Sequence, residues 1–130
     1  MTTVTKVFVC VSCKRRLGDG DQHFDHPGPA LAASVRALLA GDTHIDVVEV
    51  DCLAVCKRPC TVALAGDGKW TYVVGDLDNA AHCAEVASAA RAFAKSENGI
   101  VPWKERPATF RKGVIARIPP LKTMQPEPTE

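Results

Sequence analysis

Residues 4–13 read VTKVFVCVSC, and residues 45–60 read IDVVEVDCLAVCKRPC. Each stretch begins with β-branched and other apolar residues and ends in clustered cysteines. Such runs predict β-strands, here over residues 4–9 and 45–50. Both predicted strands therefore lead into a group of cysteines.

A helix is predicted between these two strands. Residues 14–26 are polar and Gly/Asp-rich, which indicates a loop, and Pro27 and Pro29 suit the first turn of a helix. Gly41 ends the helix. Its apolar face is formed by Leu31, Val35, Leu38 and Leu39. A strand, a helix and a second strand in this order predict a βαβ unit with a parallel strand pair.

The chain continues with a predicted hairpin and a second helix. Residues 61–65 and 69–74 are strand-like and are joined by a Gly-Asp-Gly turn, which is a good hairpin signal. Asp76 or Asp78 is the expected N-cap of the helix, which runs to about Gly99. The predicted order is β-α-β-β-β-α, an α/β fold.

The composition divides the chain into a domain, residues 1–98, and an extension, residues 99–130. The extension holds six of the nine prolines, and between Gly99 and Lys122 it has six basic residues against the single acid Glu105. Its last residues are predicted to be disordered. The middle of the extension keeps apolar side chains, so it is expected either to fold back on the domain or to dock onto a partner.

Composition and charge restrict the class of protein. The chain has 130 residues, of which 46% are hydrophobic and 24% charged, and its formal net charge is +1. This balance favours neither nucleic acid nor membrane as a partner. No signal peptide and no run of about 18 apolar residues is present, so a cytoplasmic protein is expected. In a reducing compartment, clustered cysteines bind metal or do redox chemistry more often than they form disulfides.

The cysteines form two groups with metal-ligand spacing. Cys10 and Cys13 form a C-x2-C, and Cys52, Cys56 and Cys60 form a C-x3-C-x3-C. In a βαβ unit the parallel strands end at the same edge of the sheet, so the two groups are predicted to meet. Four thiolates suit a [2Fe–2S] cluster, a [4Fe–4S] cluster or Zn²⁺. Cys83 lies apart, on the apolar stripe of the second helix, and is expected to be a buried, inert thiol.

Basic residues follow both cysteine groups. They are Lys14, Arg15, Arg16, Lys57 and Arg58. Beside an anionic cluster such cations would raise the reduction potential and attract an acidic redox partner. The alternative is that they are solvated loop charges.

The segments VFVC, CLAVCKRPCTVAL and GDGKWTYV, with the helix from Asp76, resemble the thioredoxin-like [2Fe–2S] ferredoxins over about residues 4–96. The resemblance implies a thioredoxin-like fold and a [2Fe–2S] cluster. Its implied ligands are Cys10, Cys13, Cys52 and Cys56. It also implies one-electron transfer with a protein partner, and a homodimer. The whole chain, with WKERP and GVIARIPP, resembles a bacterial family of small predicted metal-binding proteins without a settled function.

The sequence departs from the ferredoxin pattern in two ways and leaves two rival functions open. The first cysteine pair is closer than in the ferredoxins, and Cys60 is additional, so Cys60 or His23 is a reserve candidate for one ligand position. A zinc protein would use the same cysteines, with His23 or His26 as further candidates. A thiol–disulfide oxidoreductase would use Cys10-x-x-Cys13, with Pro59 before the third strand.

The sequence lacks the motifs of several common enzyme classes. It has no H-E-x-x-H, P-loop, G-x-G-x-x-G or G-x-S-x-G. A conventional hydrolase or nucleotide-dependent enzyme is therefore not expected, and the resemblance to the ferredoxins implies an electron-transfer protein instead.

Overall fold

Five strands of the chain form one mixed sheet in the computed structural model, which describes residues 4–12, 15–16, 24–54, 60–78 and 80–120. Seven strands are described, namely β1 (Thr5–Cys10), β2 (Arg15–Arg16), β3 (Phe24–Asp25), β4 (Ile45–Val50), β5 (Val62–Gly66), β6 (Thr71–Val74) and β7 (Val114–Ile118). β2 and β3 pair only with each other, and the other five strands form the mixed sheet. The helices are α1 (Pro27–Leu38), α2 (Cys83–Lys95) and α3 (Thr109–Lys112), with a 3-10 turn at Trp103–Glu105. Among the residues described, no helix has the length and apolar character to span a bilayer.

The first strand and the strand after α1 form the predicted parallel pair. Their register runs from Thr5 opposite Ile45 to Cys10 opposite Val50. β4 has the predicted bounds, and β1 is displaced by one residue from the predicted 4–9. The βαβ unit expected from the alternation of strand and helix patterns is confirmed.

The sheet order is β4-β1-β5-β6-β7, and one face of the sheet carries the core. β5 runs antiparallel to β1, and β6 antiparallel to β5, as the hairpin signal predicts. The helices α1 and α2 pack against each other and against this face. The sheet contributes Val7, Val9, Val62, Leu64, Tyr72 and Val74, and the helices contribute Leu31, Val35, Val86, Ala90 and Phe93. Each fully buried large apolar side chain contributes roughly 1.5–3 kcal/mol, so this face dominates the stability of the fold.

Three local predictions were wrong. Leu38, which was expected on the apolar face of α1, is 46% exposed. The loop predicted over residues 14–26 contains a short antiparallel pair, with Arg15 opposite Asp25. The second helix begins at Cys83 rather than at Asp76 or Asp78. Asp76 has a φ of 59°, which breaks a right-handed helix. The Asp78 carboxylate instead accepts hydrogen bonds from the N–H groups of Ala80 and Ala81, closing a separate turn.

The basic extension folds back on the sheet as far as Ile118. β7 pairs antiparallel with β6, and Val101 and Phe110 join the core. The Val101 N–H donates a hydrogen bond of 3.0 Å to the hydroxyl of the buried Tyr72. Residues 99–118 are therefore part of the same packed unit as the sheet.

Gly28 allows α1 to start against the end of β1. A Cβ at this position would lie 2.1 Å from the Cys10 carbonyl oxygen and 2.7 Å from the Val11 Cα. Both neighbours are backbone atoms, which cannot move aside without shifting the strand. The amino end of α1 therefore reaches Cys10 only because residue 28 has no side chain.

Replacing Gly28 by alanine is expected to lower the free energy of unfolding by about 1–3 kcal/mol or more, because it overpacks a backbone contact. Urea denaturation followed by circular dichroism would measure it. Gly41→Ala is the matched control, because an added Cβ there meets no atom within 4 Å. Equal midpoints for the two variants would contradict the close approach.

Lys69 closes the carboxyl end of α2 from the hairpin. Its side chain is buried, and its ammonium donates hydrogen bonds of 3.0 Å and 3.1 Å to the carbonyls of Phe93 and Ala94. The last carbonyls of a helix have no N–H partner within the helix, so the Lys69 ammonium supplies the hydrogen bonds that these two carbonyls would otherwise lack. Burial lowers the pKa of the Lys69 ammonium below its usual 10.5.

A lowered pKa in the folded state means that the unfolded chain binds this proton more tightly. The contribution of Lys69 to stability should therefore rise as the pH increases through the folded pKa towards 10.5. Urea unfolding between pH 7.5 and 10 would measure the free energy of unfolding of wild type and of Lys69→Met. The wild-type value should increase relative to that of the variant as the pH is raised. A difference that falls over this range would contradict the burial of a charged amine.

Candidate metal centre

The carboxyl ends of β1 and β4 bring Cys10 and Cys52 to one edge of the sheet. Cys10 is the last residue of β1 and lies opposite Val50, the last residue of β4. The Val11 N–H extends this ladder with a 3.0 Å hydrogen bond to the Val50 carbonyl. Cys52 follows two residues later, so the chain reaches the same edge from both strands.

Cys10 is a buried thiol fixed on both sides. Its side chain has no exposed surface, and its N–H donates a 3.0 Å hydrogen bond to the Thr61 carbonyl at the start of β5. The Cys10 Sγ lies 3.8 Å from the carbonyl oxygen of Asp51, to which the Ser12 hydroxyl also donates. The residue before Cys52 is therefore tied to the segment that carries Cys10.

Cys52 is exposed and its sulfur accepts a backbone hydrogen bond. The Ala54 N–H donates to the Cys52 Sγ over 3.1 Å. Ala54 has a φ of 62°, a left-handed backbone conformation that residues other than glycine adopt at a cost of about 1 kcal/mol or more. An N–H donor aimed at a sulfur stabilises the thiolate, and such bonds tune the potential of iron–sulfur centres.

Cys60 and Cys83 pack with apolar side chains. Cys60 is fully buried in the core cluster that includes Val9 and Val62. Its N–H and carbonyl both pair with Leu77 at 3.1 Å, which aligns the entry to β5 with the segment after β6. Cys83, the first residue of α2, is half-buried against the same core. These contacts are those of core side chains.

Several predicted site residues fall outside the described residues, namely Cys13, Cys56, His23 and Pro59. The same holds for Lys14, Lys57 and Arg58 among the cations beside the cysteines. His26 is exposed at the N-cap of α1. In the described part of the chain no three His, Cys, Asp or Glu side chains are grouped to hold a metal ion. The structure thus places two of the four expected ligands and the backbone that surrounds them.

Three features of this edge were not predicted from the sequence. The polar Ser12 between the two cysteines of the C-x2-C could have indicated its hydrogen bond at this edge. Gly28, between two prolines at the start of α1, could have indicated a close backbone approach. The left-handed conformation of Ala54 had no signal, because alanine rarely adopts it.

The model of a family described as a protein of unknown function (DUF1636) matches residues 7–120. No curated protein matches the sequence. Among solved structures, a thioredoxin-like [2Fe–2S] ferredoxin from Aquifex aeolicus superposes with a TM-score of 0.56 at 15% sequence identity, over 88% of this chain and 92% of that chain. This similarity confirms the predicted thioredoxin-like fold.

The burial of the four described cysteines predicts their order of reaction in the metal-free protein. Iodoacetamide should modify Cys52 about tenfold or more faster than Cys10 and Cys60, because a buried thiol reacts only when the structure opens locally. Timed quenching and peptide mass spectrometry would measure each site, with the half-buried Cys83 as the internal reference. Equal rates at Cys10 and Cys52 would show that the edge is open.

Proposed function

The chain belongs to the DUF1636 family, whose function is unknown, and we propose from its geometry that it is a one-electron carrier with a [2Fe–2S] cluster. The observation that carries the proposal is the convergence of Cys10 and Cys52 at the ends of parallel strands. It occurs in a fold that this chain shares with a [2Fe–2S] ferredoxin. Cys13 and Cys56, one in each cysteine group, complete the proposed ligand set.

The surroundings of the two described sulfurs fit a thiolate-bound cluster. Cys10 is buried and Cys52 is exposed, so the proposed site spans from the sheet edge to the surface. The Ala54 N–H would stabilise negative charge on the Cys52 sulfur. When bound, a [2Fe–2S] cluster would supply a one-electron couple. The protein would hold the ligands, exclude water on the Cys10 side and tune the potential through the Ala54 hydrogen bond.

The packing of Cys60 supports a role in the core rather than at the metal. Cys60 belongs to the apolar cluster that includes Val9 and Val62, whereas the equally buried Cys10 lies outside that cluster. We therefore propose Cys10, Cys13, Cys52 and Cys56 as ligands and keep Cys60 in reserve.

One observation weighs against thiol–disulfide exchange as the main function. A C-x-x-C motif gains a reactive thiolate when it lies at the amino end of a helix. Here α1 begins at Pro27, well after Cys13, and Cys10 belongs to a strand and is buried. The proposed nucleophile, although the amino end of α1 lies against its backbone, would therefore lack access to a substrate disulfide. Zinc uses the same thiolates, and only metal analysis separates it from the cluster.

Anaerobic purification is expected to yield a coloured protein that contains iron and sulfide in equal amounts. Reduction by dithionite should give the EPR signal of one unpaired electron. Cys10→Ser and Cys52→Ser should each lower the bound iron to about a tenth or less, because a thiolate ligand is lost. Cys83→Ser is the matched control and should keep the iron, since Cys83 packs against the core at the start of α2.

Other outcomes would replace the proposal. Stoichiometric zinc in a colourless protein would assign the site to zinc. Reduction of insulin disulfides by the metal-free protein, abolished in Cys10→Ser, would assign it to dithiol chemistry. Loss of iron in Cys60→Ser without loss of folding would move Cys60 into the ligand set.

A further inference from the structure

An exposed tryptophan stands in the 3-10 turn of the extension. Trp103 is 59% exposed, although tryptophan is usually well buried in soluble proteins. It follows Val101, which belongs to the core, and precedes the short helix α3. A large apolar side chain held at the surface by an ordered segment is a feature of interaction sites.

Two arginines stack on the Trp103 ring. The guanidinium carbon of Arg106 lies 5.5 Å from the ring centroid of Trp103 and 5.3 Å from that of the buried Tyr72. The guanidinium carbon of Arg111 lies 5.8 Å from the Trp103 centroid. Arg106 thus connects the exposed ring to the core. These cation–π contacts fix the indole relative to the sheet.

The same arginines fix the backbone of the turn. Arg106 Nε donates a 2.8 Å hydrogen bond to the Val101 carbonyl. Arg111 donates to two carbonyls, from Nε to Trp103 at 3.0 Å and from Nη2 to Lys104 at 3.2 Å. A side chain held in this way loses little further conformational entropy when it binds, so the surface is preorganised.

The surface around the ring is cationic. We define the Trp103 patch as Trp103, Lys104, Arg106, Arg111 and Lys112. These four cations and the single acid Glu105 give residues 103–112 a formal charge of +3. Within the described residues none of the four cations takes part in an ion pair. Their charge is therefore available to a partner.

The patch reaches the edge of the sheet that carries the cysteines. Thr109 of α3 donates hydrogen bonds of 3.0 Å from its N–H and hydroxyl to Glu85 near the start of α2. The Gly75 N–H donates a 3.0 Å bond to the carbonyl of Gly113, which follows Lys112. Gly75 directly follows β6, whose carboxyl end lies at the same edge as that of β1.

We propose that the Trp103 patch is the docking surface for an acidic face of a partner protein. Carboxylates of the partner would meet Lys104, Lys112 and the guanidinium groups, and an apolar side chain would cover the Trp103 ring. Trp and Arg are the residue types that dominate binding energy at protein interfaces. Nucleic acid fits less well, because the chain has a net charge of only +1 and Glu105 lies within the cationic segment.

This inference rests on the proposed function in one respect only, namely that the partner exchanges an electron with the protein. Complexes of electron carriers are small and short-lived, and opposite charges steer their formation. A rigid cationic patch that reaches the cysteine edge suits such a complex. Binding itself does not require the metal, so the patch can be tested separately from the cluster.

Poly-L-glutamate is the probe for an acidic protein face. Titration of the full chain, with and without its metal, should shift the NMR signal of the Trp103 indole N–H and leave that of Trp70 in place. The affinity should fall as sodium chloride is raised, since exposed charges are screened. The double variant Lys104→Glu/Lys112→Glu and the single variant Trp103→Ala should each weaken binding about tenfold or more.

Two matched controls lie elsewhere on the surface. Lys95→Glu reverses an exposed charge at the end of α2, and Leu38→Ala removes an apolar side chain that is 46% exposed. Both should change the affinity less than about twofold. Circular dichroism of every variant separates loss of binding from loss of folding, and the double variant tests the patch without removing the ring.

Each contrary result overturns the proposal. Absence of binding to poly-L-glutamate would do so, as would an equal loss in the Lys95→Glu control. Tighter binding of a single-stranded DNA oligonucleotide, lost in the patch variants, would assign the surface to nucleic acid. A dimer that dissociates in Trp103→Ala would assign it to a second copy of the chain. Lack of iron would contradict the proposed function and leave these outcomes unchanged.

Discussion

The parallel pairing of β1 with β4 determines where every other part of the candidate site lies. Its register places Cys10 opposite Val50 and directs Val7 and Val9 towards the helices. A shift of one residue would exchange the two faces of β1 and expose its core side chains. Lys6 and Asp46, which are opposite each other in this register, form an ion pair at 2.7 Å. Both side chains are largely exposed, so the pair contributes at most about 1 kcal/mol to stability. Burial of the valines therefore sets the register.

The strands and α1 could be predicted because their signals are local. Period-two and apolar runs mark β1 and β4, and two prolines mark the start of α1. The start of α2 could not be predicted in the same way, because Asp76 and Asp78 both resemble N-caps. The paired bonds between Leu77 and Cys60 hold that segment beside the entry to β5 and out of the helix, and they join residues 17 positions apart in the chain. β7 was missed for a similar reason, since its partner β6 lies about 40 residues earlier.

About half of the candidate site follows from sequence and topology. The shared edge of parallel strands predicts that Cys10 and Cys52 approach each other. Spacing alone does not distinguish Cys56 from Cys60, because both are separated from a neighbouring cysteine by three residues. Cys60 lies beside the start of β5 and packs in the core, and this packing is the reason for proposing Cys56 rather than Cys60 as the ligand. The hydrogen bond from Ala54 to the Cys52 sulfur depends on the left-handed conformation of Ala54, which an alanine in the sequence does not predict.

Because β7 pairs with β6, β6 is an inner strand of the sheet rather than an edge strand. Without β7, Thr71–Val74 would be an edge strand of apolar and β-branched residues with unpaired backbone groups, open to strand addition by another chain. β7 covers that edge, and Pro119 and Pro120 follow it with no N–H to offer a further strand. The extension that carries the Trp103 patch thus also covers the edge of β6, which would otherwise be open to pairing with another chain. A chain shortened to its first 98 residues would lose this protection together with Val101 and Phe110 from the core.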